Sequence, residues 1–415
     1  MHAEVSYLLI INSNIMKKVL FFAMALVAGF ALTSCDRDSL TPEGDTTKLW
    51  VAGEDDSNLY GFIDANGKMV IAADYERAYG FSCGWALVRE DGEITYIDKN
   101  GKSGKVPDAD TYYTYFYHNL VSFKEGGLLG KWDTNFKEVI PADYKALGPN
   151  TDAGLFWYTE DGTNYGFLDE KGKIAIDADD KEYTYCGSFD DGICVVGIDK
   201  KTDDGTEHRY GVIDKTGEYT ITPQKNSIFN MGEGRVAFLK SSTIKYGIWD
   251  KNGEEVISAT YDGMDAFSCG LAMVVKNEKC GFIDKNGNEV ISPRYYSASD
   301  FYDNVAWVMK SSDSRIELID KNGEQILRLK EEEYPEDMFH NGLCLIYNQD
   351  TKEYRYINKK GEVIYKWEKA SASAPARKSL REIGLHAIAA MPYAPRFMDR
   401  LQGTMLTQEG EVITK

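Results

Sequence analysis

Residues 60–67 read Tyr-Gly-Phe-Ile-Asp-Ala-Asn-Gly, and this phrase decides the fold because the chain repeats it. An Asp, polar residues and a Gly between two apolar runs are a hairpin signal. The Asp side chain caps the turn, and Gly accepts the positive φ that such turns need. Clear further copies begin at Tyr165, Tyr210, Tyr246 and Cys280, and weaker copies centre on Asp98, Asp133, Asp320 and Asn358.

The spacing of these copies is regular. From Asp64 to Asn358 the turn residue recurs in eight steps of 34, 35, 36, 45, 36, 34, 36 and 38 residues. A constant period of this length is the signature of a tandem repeat array. The step of 45 contains the polar segment 200–207, which we interpret as a loop insertion.

Two further phrases follow each copy. One is an Ile and a Tyr four residues apart, as at Ile71 and Tyr75. The other is Phe-x-x-Gly before an apolar run, as in Phe81-Ser-Cys-Gly-Trp-Ala-Leu-Val88. One repeat is therefore three or four short strands, which must stack on its neighbours to bury its aromatic side chains. We expect nearly every repeated Tyr and Phe to be shared core.

The combined pattern resembles the WG-repeat family, which is related to the KWG repeat. Its consensus runs aromatic-Gly, an apolar pair, Asp-x-x-Gly, an apolar pair, Tyr, and then Phe-x-x-Gly-x-Ala-x-Val. The resemblance covers about residues 47–367, although Tyr or Cys replaces the Trp of the name in every clear copy. It implies a bacterial binding protein and carries no catalytic residue across.

The sequence predicts an all-β array over residues 49–369, with about nine units of roughly 36 residues. Strand–turn–strand units at this period fit the blades of a β-propeller. An open β-solenoid or superhelical stack is the alternative, because nine is a high number of blades for a closed ring.

The N-terminal segment is typical of an export signal. Lys17 and Lys18 precede an apolar run that is too short to span a membrane comfortably. Leu32-Thr33-Ser34-Cys35 then resembles the lipobox of bacterial lipoproteins, which implies cleavage after residue 34 and lipidation of Cys35. We expect residues 1–34 to be the signal peptide, with a start at Met16 as the alternative for residues 1–15, and residues 35–48 to be a polar tether.

The C-terminal segment 370–415 departs from the repeat. Ala370–Pro375 reads as a linker, and residues 377–391 have the spacing of a short amphipathic helix. Residues 405–413 resemble half a repeat. We expect this segment to cap the array, because the ends of a repeat array need to be covered.

Composition and motifs exclude several kinds of site. The formal charge of −19 disfavours nucleic acid as a partner. The five His residues lack metal-ligand spacing, and nucleophile-elbow and phosphate-loop motifs are absent from the sequence. Asp64-Ala-Asn-Gly lacks the further ligands of an EF-hand, so turn capping is preferred to calcium binding. We expect no cofactor and no metal. Cys186 and Cys194 flank one turn, and whether they pair is left open.

The sequence thus favours a lipid-anchored, non-enzymatic binding or scaffold protein of the cell envelope. The expected location is the outer membrane, with surface exposure as one possibility, and the expected partner is an unidentified protein or glycan. Recognition is expected on loops such as 103–116 and 199–209, where Tyr112, Tyr113, Tyr115 and Phe116 form a candidate ligand-binding cluster, with a place in the core as the alternative. The alternatives are a glycan-active enzyme with two carboxylates about 5–10 Å apart, and a structural envelope component without a discrete ligand.

Overall fold

The computed structural model describes residues 47–368, apart from Asp56, Thr114, Asp152, Asp204 and Asp313, together with the strand at 412–414. The expected signal peptide, Cys35, most of the tether and the short helix at 377–391 lie outside the described residues. The described part forms nine antiparallel sheets, which we number as blades 1 to 9 in chain order.

The first four blades contain fourteen strands. Blade 1 has β1 (Trp50–Gly53), β2 (Tyr60–Ile63) and β3 (Met69–Tyr75), and blade 2 has β4 (Arg77–Ala78), β5 (Trp85–Glu90) and β6 (Glu93–Asp98). Blade 3 has β7 (Thr111–Tyr113), β8 (Leu120–Glu125), β9 (Leu128–Asp133) and β10 (Glu138–Tyr144). Blade 4 has β11 (Ala146–Leu147), β12 (Leu155–Thr159), β13 (Gly166–Asp169) and β14 (Ile174–Ile176), followed by the short helix α1 (Ala178–Lys181).

The remaining five blades have four strands each. Blade 5 has β15 (Tyr185–Cys186), β16 (Ile193–Thr202), β17 (Gly205–Asp214) and β18 (Tyr219–Gln224), and blade 6 has β19 (Ile228–Gly232), β20 (Arg235–Lys240), β21 (Lys245–Asp250) and β22 (Glu255–Tyr261). Blade 7 has β23 (Gly263–Ser268), β24 (Leu271–Lys276), β25 (Lys279–Asp284) and β26 (Glu289–Tyr295). Blade 8 has β27 (Ser297–Ala298), β28 (Val305–Met309), β29 (Glu317–Asp320) and β30 (Gln325–Arg328). Blade 9 has β31 (Glu333–Pro335), β32 (Leu343–Asn348), β33 (Glu353–Asn358) and β34 (Val363–Glu368), and a last strand, β35 (Val412–Thr414), joins blade 3.

Each four-stranded blade is a meander in which strands pair in chain order. The fourth strands alternate between buried and exposed residues, as β26 does, which is typical of an outer edge. The first strands lie innermost, where β19 contacts β23 of the next blade. Blade 1 has no first strand among the described residues, so β1 forms its inner edge.

The two faces of the array differ in their turns. We call the face with the turns between third and fourth strands, such as Asp64–Gly67, the turn face. The turns between first and second strands lie on the same face, because the strands of a meander alternate in direction. The opposite face carries the turns between second and third strands, and we call it the ribbon face.

The array closes into a ring, because blade 9 packs on blade 1. The hydroxyl of Tyr356 donates to the carbonyl oxygen of Val51 at 2.9 Å, and the hydroxyl of Tyr365 donates to that of Gly53 at 3.0 Å. Trp50 and Trp367 share a buried cluster across this boundary. The fold is therefore a nine-bladed β-propeller, which decides between the closed ring and the open stack.

The sequence repeat does not coincide with a blade. The aromatic-Gly phrase is the third strand of one blade, and the Ile and Tyr phrase is its fourth strand. The Phe-x-x-Gly phrase is the turn between the first two strands of the next blade, as at Phe81 and Phe301. Each repeat thus spans two neighbouring blades and joins them covalently.

The motif Gly is required by a bulge in the fourth strand. Pairing of β25 with β26 shifts register between Cys280 and Phe282, and a Cβ atom on Gly281 would lie 2.5 Å from the carbonyl oxygen of Ile291. Gly61 and Gly247 show the same approach to Ile71 and Ile257. The bulging strand therefore leaves no room for a side chain at this position.

Candidate functional site

The repeated acidic residues lie in the turns of the turn face. In the first of these turns, Asp64 Oδ1 accepts hydrogen bonds from the backbone N–H groups of Asn66 and Lys68, each at 2.9 Å. The hydrogen bond from Lys68 lowers the pKa of Asp64. The other eight turns repeat the arrangement, at Asp98, Asp133, Asp169, Asp214, Asp250, Asp284, Asp320 and Asn358. The eight Asp carboxylates and the side-chain amide oxygen of Asn358 act as turn caps.

The predicted aromatic cluster lies in the core of the third blade. Tyr112 and Tyr113 belong to β7 and are buried, Phe116 is fully buried, and Tyr115 is half-buried. Phe116 packs edge to face on Tyr96 with ring centroids 5.6 Å apart. The prediction of a ligand-binding cluster on the loop at 103–116 is therefore corrected in favour of its alternative, a place in the core, because packing buries the rings despite their polar surroundings in sequence.

The predicted loop at 199–209 is a β-ribbon. Strands β16 and β17 stay paired from Ile193 and Asp214 out to Thr202 and Gly205, so both strands are ten residues long. The second and third strands of every other described blade are four to six residues long. The 45-residue step is therefore an extension of two strands, which projects from the ribbon face of blade 5.

A small cleft lies at the base of this ribbon. Its volume is about 110 Å³, and its lining residues are Thr184, Tyr185, Gly197, Ile198, Asp199, His208, Arg209 and Tyr210. The rings of Tyr185 and Tyr210 meet edge to face at 6.1 Å. Pockets for drug-sized ligands measure about 300–1,000 Å³, so this cleft fits one side chain or one sugar substituent.

Polar groups converge on the cleft. His208 Nδ1 lies 2.6 Å from Asp199 Oδ1, and the Thr184 hydroxyl donates to the same oxygen at 3.2 Å. Burial, and then the charge of Asp199, raise the pKa of Tyr210. An aromatic wall beside hydrogen-bonding side chains is the chemistry that orients a peptide or a sugar.

Glu207 of the ribbon has two cationic partners. Glu207 accepts hydrogen bonds from Lys225 and from Arg209, whose Nε lies 2.6 Å from Glu207 Oε1. These hydrogen bonds, first that from Lys225, lower the pKa of Glu207. Asp199 and His208 lie within the recognition loop predicted at 199–209, whereas sequence reasoning missed Tyr185 and Tyr210. The sequence signal for this site is that strand-forming residues continue on both sides of the polar insertion, as the ladder of β16 and β17 does.

A second cleft lies on the turn face, where blades 8 and 9 meet the start of blade 1. Its volume is about 490 Å³, and its lining is polar: Lys48, Asp303, Asn341, Gly342, Asn358, Lys359 and Lys360. Lys359 Nζ lies 2.7 Å from Asp303 Oδ1, and Gly342 N–H donates to Asp303 Oδ2 at 2.7 Å. These contacts tie the turns of neighbouring blades together.

The six cysteines of the described part are not joined in disulfides: Cys83, Cys186, Cys194, Cys269, Cys280 and Cys344. Cys186 and Cys194 are therefore not bonded to each other in this structure. Burial, and then the neighbouring Cys194, raise the pKa of Cys186, and burial raises the pKa of Cys280 to about 11. Raised thiol pKa values disfavour the thiolate and suit core residues.

Two negative observations concern the described residues alone. In 47–368, with its five gaps, no group of three or more His, Cys, Asp and Glu is arranged to hold a metal ion. The only α-helix in this range is α1, and no described helix is long and apolar enough to cross a membrane.

The family is settled by comparison with known repeats. A model of the WG-containing repeat matches residues 60–93, 165–201, 246–280 and 281–312. The chain contains WG-containing repeats in these four segments. Each matched segment begins at or next to the third strand of a blade, and the structure shows further copies of the turn between these segments.

Among the solved structures similar to this chain, one supports the fold and nothing beyond it. A eukaryotic initiation factor superposes with a TM-score of 0.53 and 12% identity, covering 75% of this chain and 94% of its own. Two others have lower TM-scores. AztD from Citrobacter koseri has a TM-score of 0.39 and 11% identity, covering 77% of this chain and 94% of its own. An acylaminoacyl peptidase from Pyrococcus horikoshii has a TM-score of 0.36 and 12% identity, covering 61% of this chain and 52% of its own. No curated protein matches the sequence.

Proposed function

We propose that this WG-repeat propeller is a non-enzymatic binding protein, held at the cell envelope by a lipid on Cys35, which recognises a protein or glycan with its ribbon face. The observation that carries the binding role is the ribbon of blade 5. Among the described blades this extension of two strands occurs in blade 5 alone, and the base of the ribbon combines Tyr185 and Tyr210 with polar side chains. A feature present in one copy of a repeat is not needed for stacking, so we assign it to recognition.

The commitment of reactive side chains to structure supports a non-enzymatic role. The turn carboxylates cap backbone N–H groups, and the buried Glu333 is held by Arg355 at 2.8 Å. Buried thiols such as Cys194 have raised pKa values. These groups stabilise the blades, and the same contacts oppose the proton transfers that a hydrolase requires.

The position of β1 orients the proposed anchor. As a second strand, β1 begins on the turn face, so the chain enters the ring there. The twelve residues between Cys35 and Lys48 span at most about 40 Å when fully extended. We infer that the turn face points towards the membrane and that the ribbon face points away from it, where it is accessible to a partner.

The test is an affinity capture from envelope extract with the soluble fragment 36–415. The matched control replaces residues 199–208 by Asn-Gly, which shortens β16 and β17 to a tight hairpin and leaves the blade in place. We expect a protein or glycan that the full ribbon retains and the shortened ribbon loses. Equal retention by both fragments, or by neither, would contradict recognition through the ribbon.

A further inference from the structure

The cleft at the base of the ribbon exists because one residue of blade 5 lacks a side chain. Gly197 of β16 lies between Tyr185 of β15 and Tyr210 of β17 in the strand register. A Cβ atom on Gly197 would lie 3.0 Å from the Cβ atom of Tyr185 and 3.3 Å from the ring of Tyr210. The two tyrosines therefore lie on either side of an empty position and form the walls of the cleft.

The other described blades fill this position. The equivalent residues of their second strands all carry a side chain in blades 2 to 9: Arg89, Lys124, Thr159, Leu239, Val275, Met309 and Tyr347. Blade 1 also has a glycine there, Gly53, but the indole of Trp367 occupies the space beside it. The open position, like the ribbon, is thus a property of blade 5 and is not required by the stacking of repeats.

We propose that this cleft binds the ammonium group of a lysine side chain that a protein partner presents, with the rings of Tyr185 and Tyr210 beside its methylene groups and the carboxylate of Asp199 beside its charge. The inference rests on the proposed binding role of the ribbon and names the chemistry that the same site recognises. Cations are attracted to the face of an aromatic ring within about 6 Å of its centroid. The two rings stand at an interplanar angle of 82°, so each has a face on the corner between them.

The negative charge of the cleft comes from Asp199. Asp199 and His208 are opposite each other in the ladder, two residues beyond Gly197 and Tyr210, and so lie on the same side of the ribbon as the rings. Among the described residues, the contacts with the Asp199 side chain come from His208 Nδ1 and the Thr184 hydroxyl, and both involve Oδ1. Oδ2 is left for a ligand. One oxygen suffices for an ammonium group, whereas the two-pronged bonding of arginine uses both, so lysine is favoured.

The positive charge of Arg209 is directed away from the rings. Glu207 and Arg209 alternate with His208 and Tyr210 along β17, so they lie on the opposite side of the ribbon. There Arg209 Nε lies 2.6 Å from Glu207 Oε1. The connections between second and third strands on the ribbon face contain far more Asp and Glu than Lys and Arg, as in residues 54–56, 160–161 and 203–204. An acidic face attracts a cationic partner.

The size of the cleft favours a side chain over a sugar. Its volume of about 110 Å³ equals that of roughly four water molecules at ~30 Å³ each. This space admits the end of one unbranched side chain, whereas a sugar ring with its hydroxyl groups is larger. We therefore assign the cleft to a protein partner.

The test is a titration of fragment 36–415, carrying isotope-labelled tyrosine rings, with Nα-acetyl-lysine methylamide. We expect saturable shifts of the Tyr185 and Tyr210 ring signals, with a dissociation constant in the millimolar range because a single side chain binds weakly. Asp199→Asn should weaken binding by about fivefold or more, since it removes the charge and keeps the shape. Asp203→Asn removes one charge from the tip of the same ribbon, and this matched control should bind like the wild type.

Three results would overturn the proposal. Equal binding by Asp199→Asn and the wild type would mean that the carboxylate does not hold the cation. Equal shifts with the norleucine derivative, whose side chain ends in a methyl group, would mean that the contact is apolar. Tighter binding of glucosamine than of the lysine derivative would assign the cleft to a glycan.

Failure of the binding role itself gives a different result. If the shortened ribbon loses a partner from envelope extract and Asp199→Asn retains it like the wild type, the ribbon binds that partner without lysine recognition in the cleft. The proposed function would then stand and the lysine assignment would fall. We expect Asp199→Asn to lose most of the partner that the shortened ribbon loses.

Discussion

A Cβ atom placed on Gly67 of blade 1 would lie 2.1 Å from the carbonyl oxygen of Ile364 in blade 9. This contact joins residues almost three hundred positions apart. The corresponding turn glycine of other blades approaches the fourth strand of the blade before it, as Gly217 approaches Ile176 and Gly253 approaches Ile221. The same contact that stacks neighbouring blades therefore also closes the ring.

Gly67→Ala tests this contact. The residue has φ +78, which is unfavourable for Ala, and the added methyl group meets a carbonyl oxygen. We expect a loss of about 2–5 kcal/mol in the free energy of unfolding, since left-handed strain costs about 1–2 and overpacking about 1–3. The control Gly92→Ala has φ +82 and open space around it, so it should lose about 1–2 kcal/mol. Equal losses in urea unfolding would contradict close packing at the boundary.

Gly281→Ala tests the bulge that the motif Gly accommodates. The new methyl group would lie 2.5 Å from backbone atoms of Ile291 and Pro293, and we expect a destabilisation of about 1–3 kcal/mol. Gly263→Ala, whose methyl group would lie 3.5 Å from Val275, should stay within about 0.5 kcal/mol of the wild type. Thermal unfolding of the two variants side by side measures the difference, and a tolerated Gly281→Ala would refute the steric reason for the motif.

Asp250 tests the capping of the turns. Its carboxylate accepts from the N–H groups of Asn252 and Glu254, each at 2.9 Å. Asp250→Ala should lose about 1 kcal/mol, whereas Asp250→Asn should keep most of the stability at pH 7, because Asn358 already caps the ninth turn. Urea unfolding at pH 7 measures both variants, and an equal loss in each would contradict capping by the side-chain oxygen.

Acid stability follows from the same turns. Burial opposes ionisation of Asp250, but hydrogen bonds from the two backbone N–H groups hold its pKa below the ordinary value. A depressed pKa in the folded state gives stability that is present above the unfolded pKa, near 4, and is lost as pH falls through the folded value. We expect Asp250→Asn to have a shallower decline of stability below pH 4 than the wild type. A steeper decline of stability in Asp250→Asn than in the wild type would contradict a lowered pKa of Asp250 in the folded state.

The lipid anchor has its own test. Metabolic labelling with palmitate should mark the full chain, and Cys35→Ala should abolish the label, because the thioether to the lipid needs the thiol. Cys83→Ala is the control, since Cys83 is a half-buried thiol of the ring. Label that persists in Cys35→Ala would exclude Cys35 as the attachment site.

The fold could be predicted from the sequence because its signals are local. Asp64 and Gly67 specify their turn by hydrogen bonds and φ within four residues. The other repeats restate both residues, except that Phe136 replaces the Gly in one turn and Asn358 replaces the Asp in another. Ring closure could not be predicted from the sequence. The contact between Gly67 and Ile364 uses the same residue types as the contacts between consecutive blades, so the sequence does not show that the first and last blades meet. The sequence period also does not show where one blade ends and the next begins, so the division of each repeat between two blades could not be predicted.

The candidate site was harder to predict. A polar insertion reads as a loop, although Ile198 and Arg209 are opposite each other in a continuous ladder. In the sequence, Tyr112 and Tyr113 beside acidic residues fit either a ligand-binding cluster or core, and only the packing of the blades shows that both rings are buried. Strand β7 pairs with β35, which follows it by about three hundred residues. A local sequence pattern does not predict a pairing over this distance.

Closure of the nine blades is the central claim, and a short cross-link tests it most directly. Glu368 N–H of blade 9 donates to Asp55 Oδ1 of blade 1 at 2.8 Å, and both residues are exposed. The double variant Asp55→Cys/Glu368→Cys, treated with a short bis-maleimide, should form one intramolecular cross-link in high yield, visible in the tryptic digest. Asp55→Cys with Glu182→Cys, which lies across the ring, should not. Absence of the 55–368 link under conditions in which both thiols are labelled singly would contradict the closed propeller.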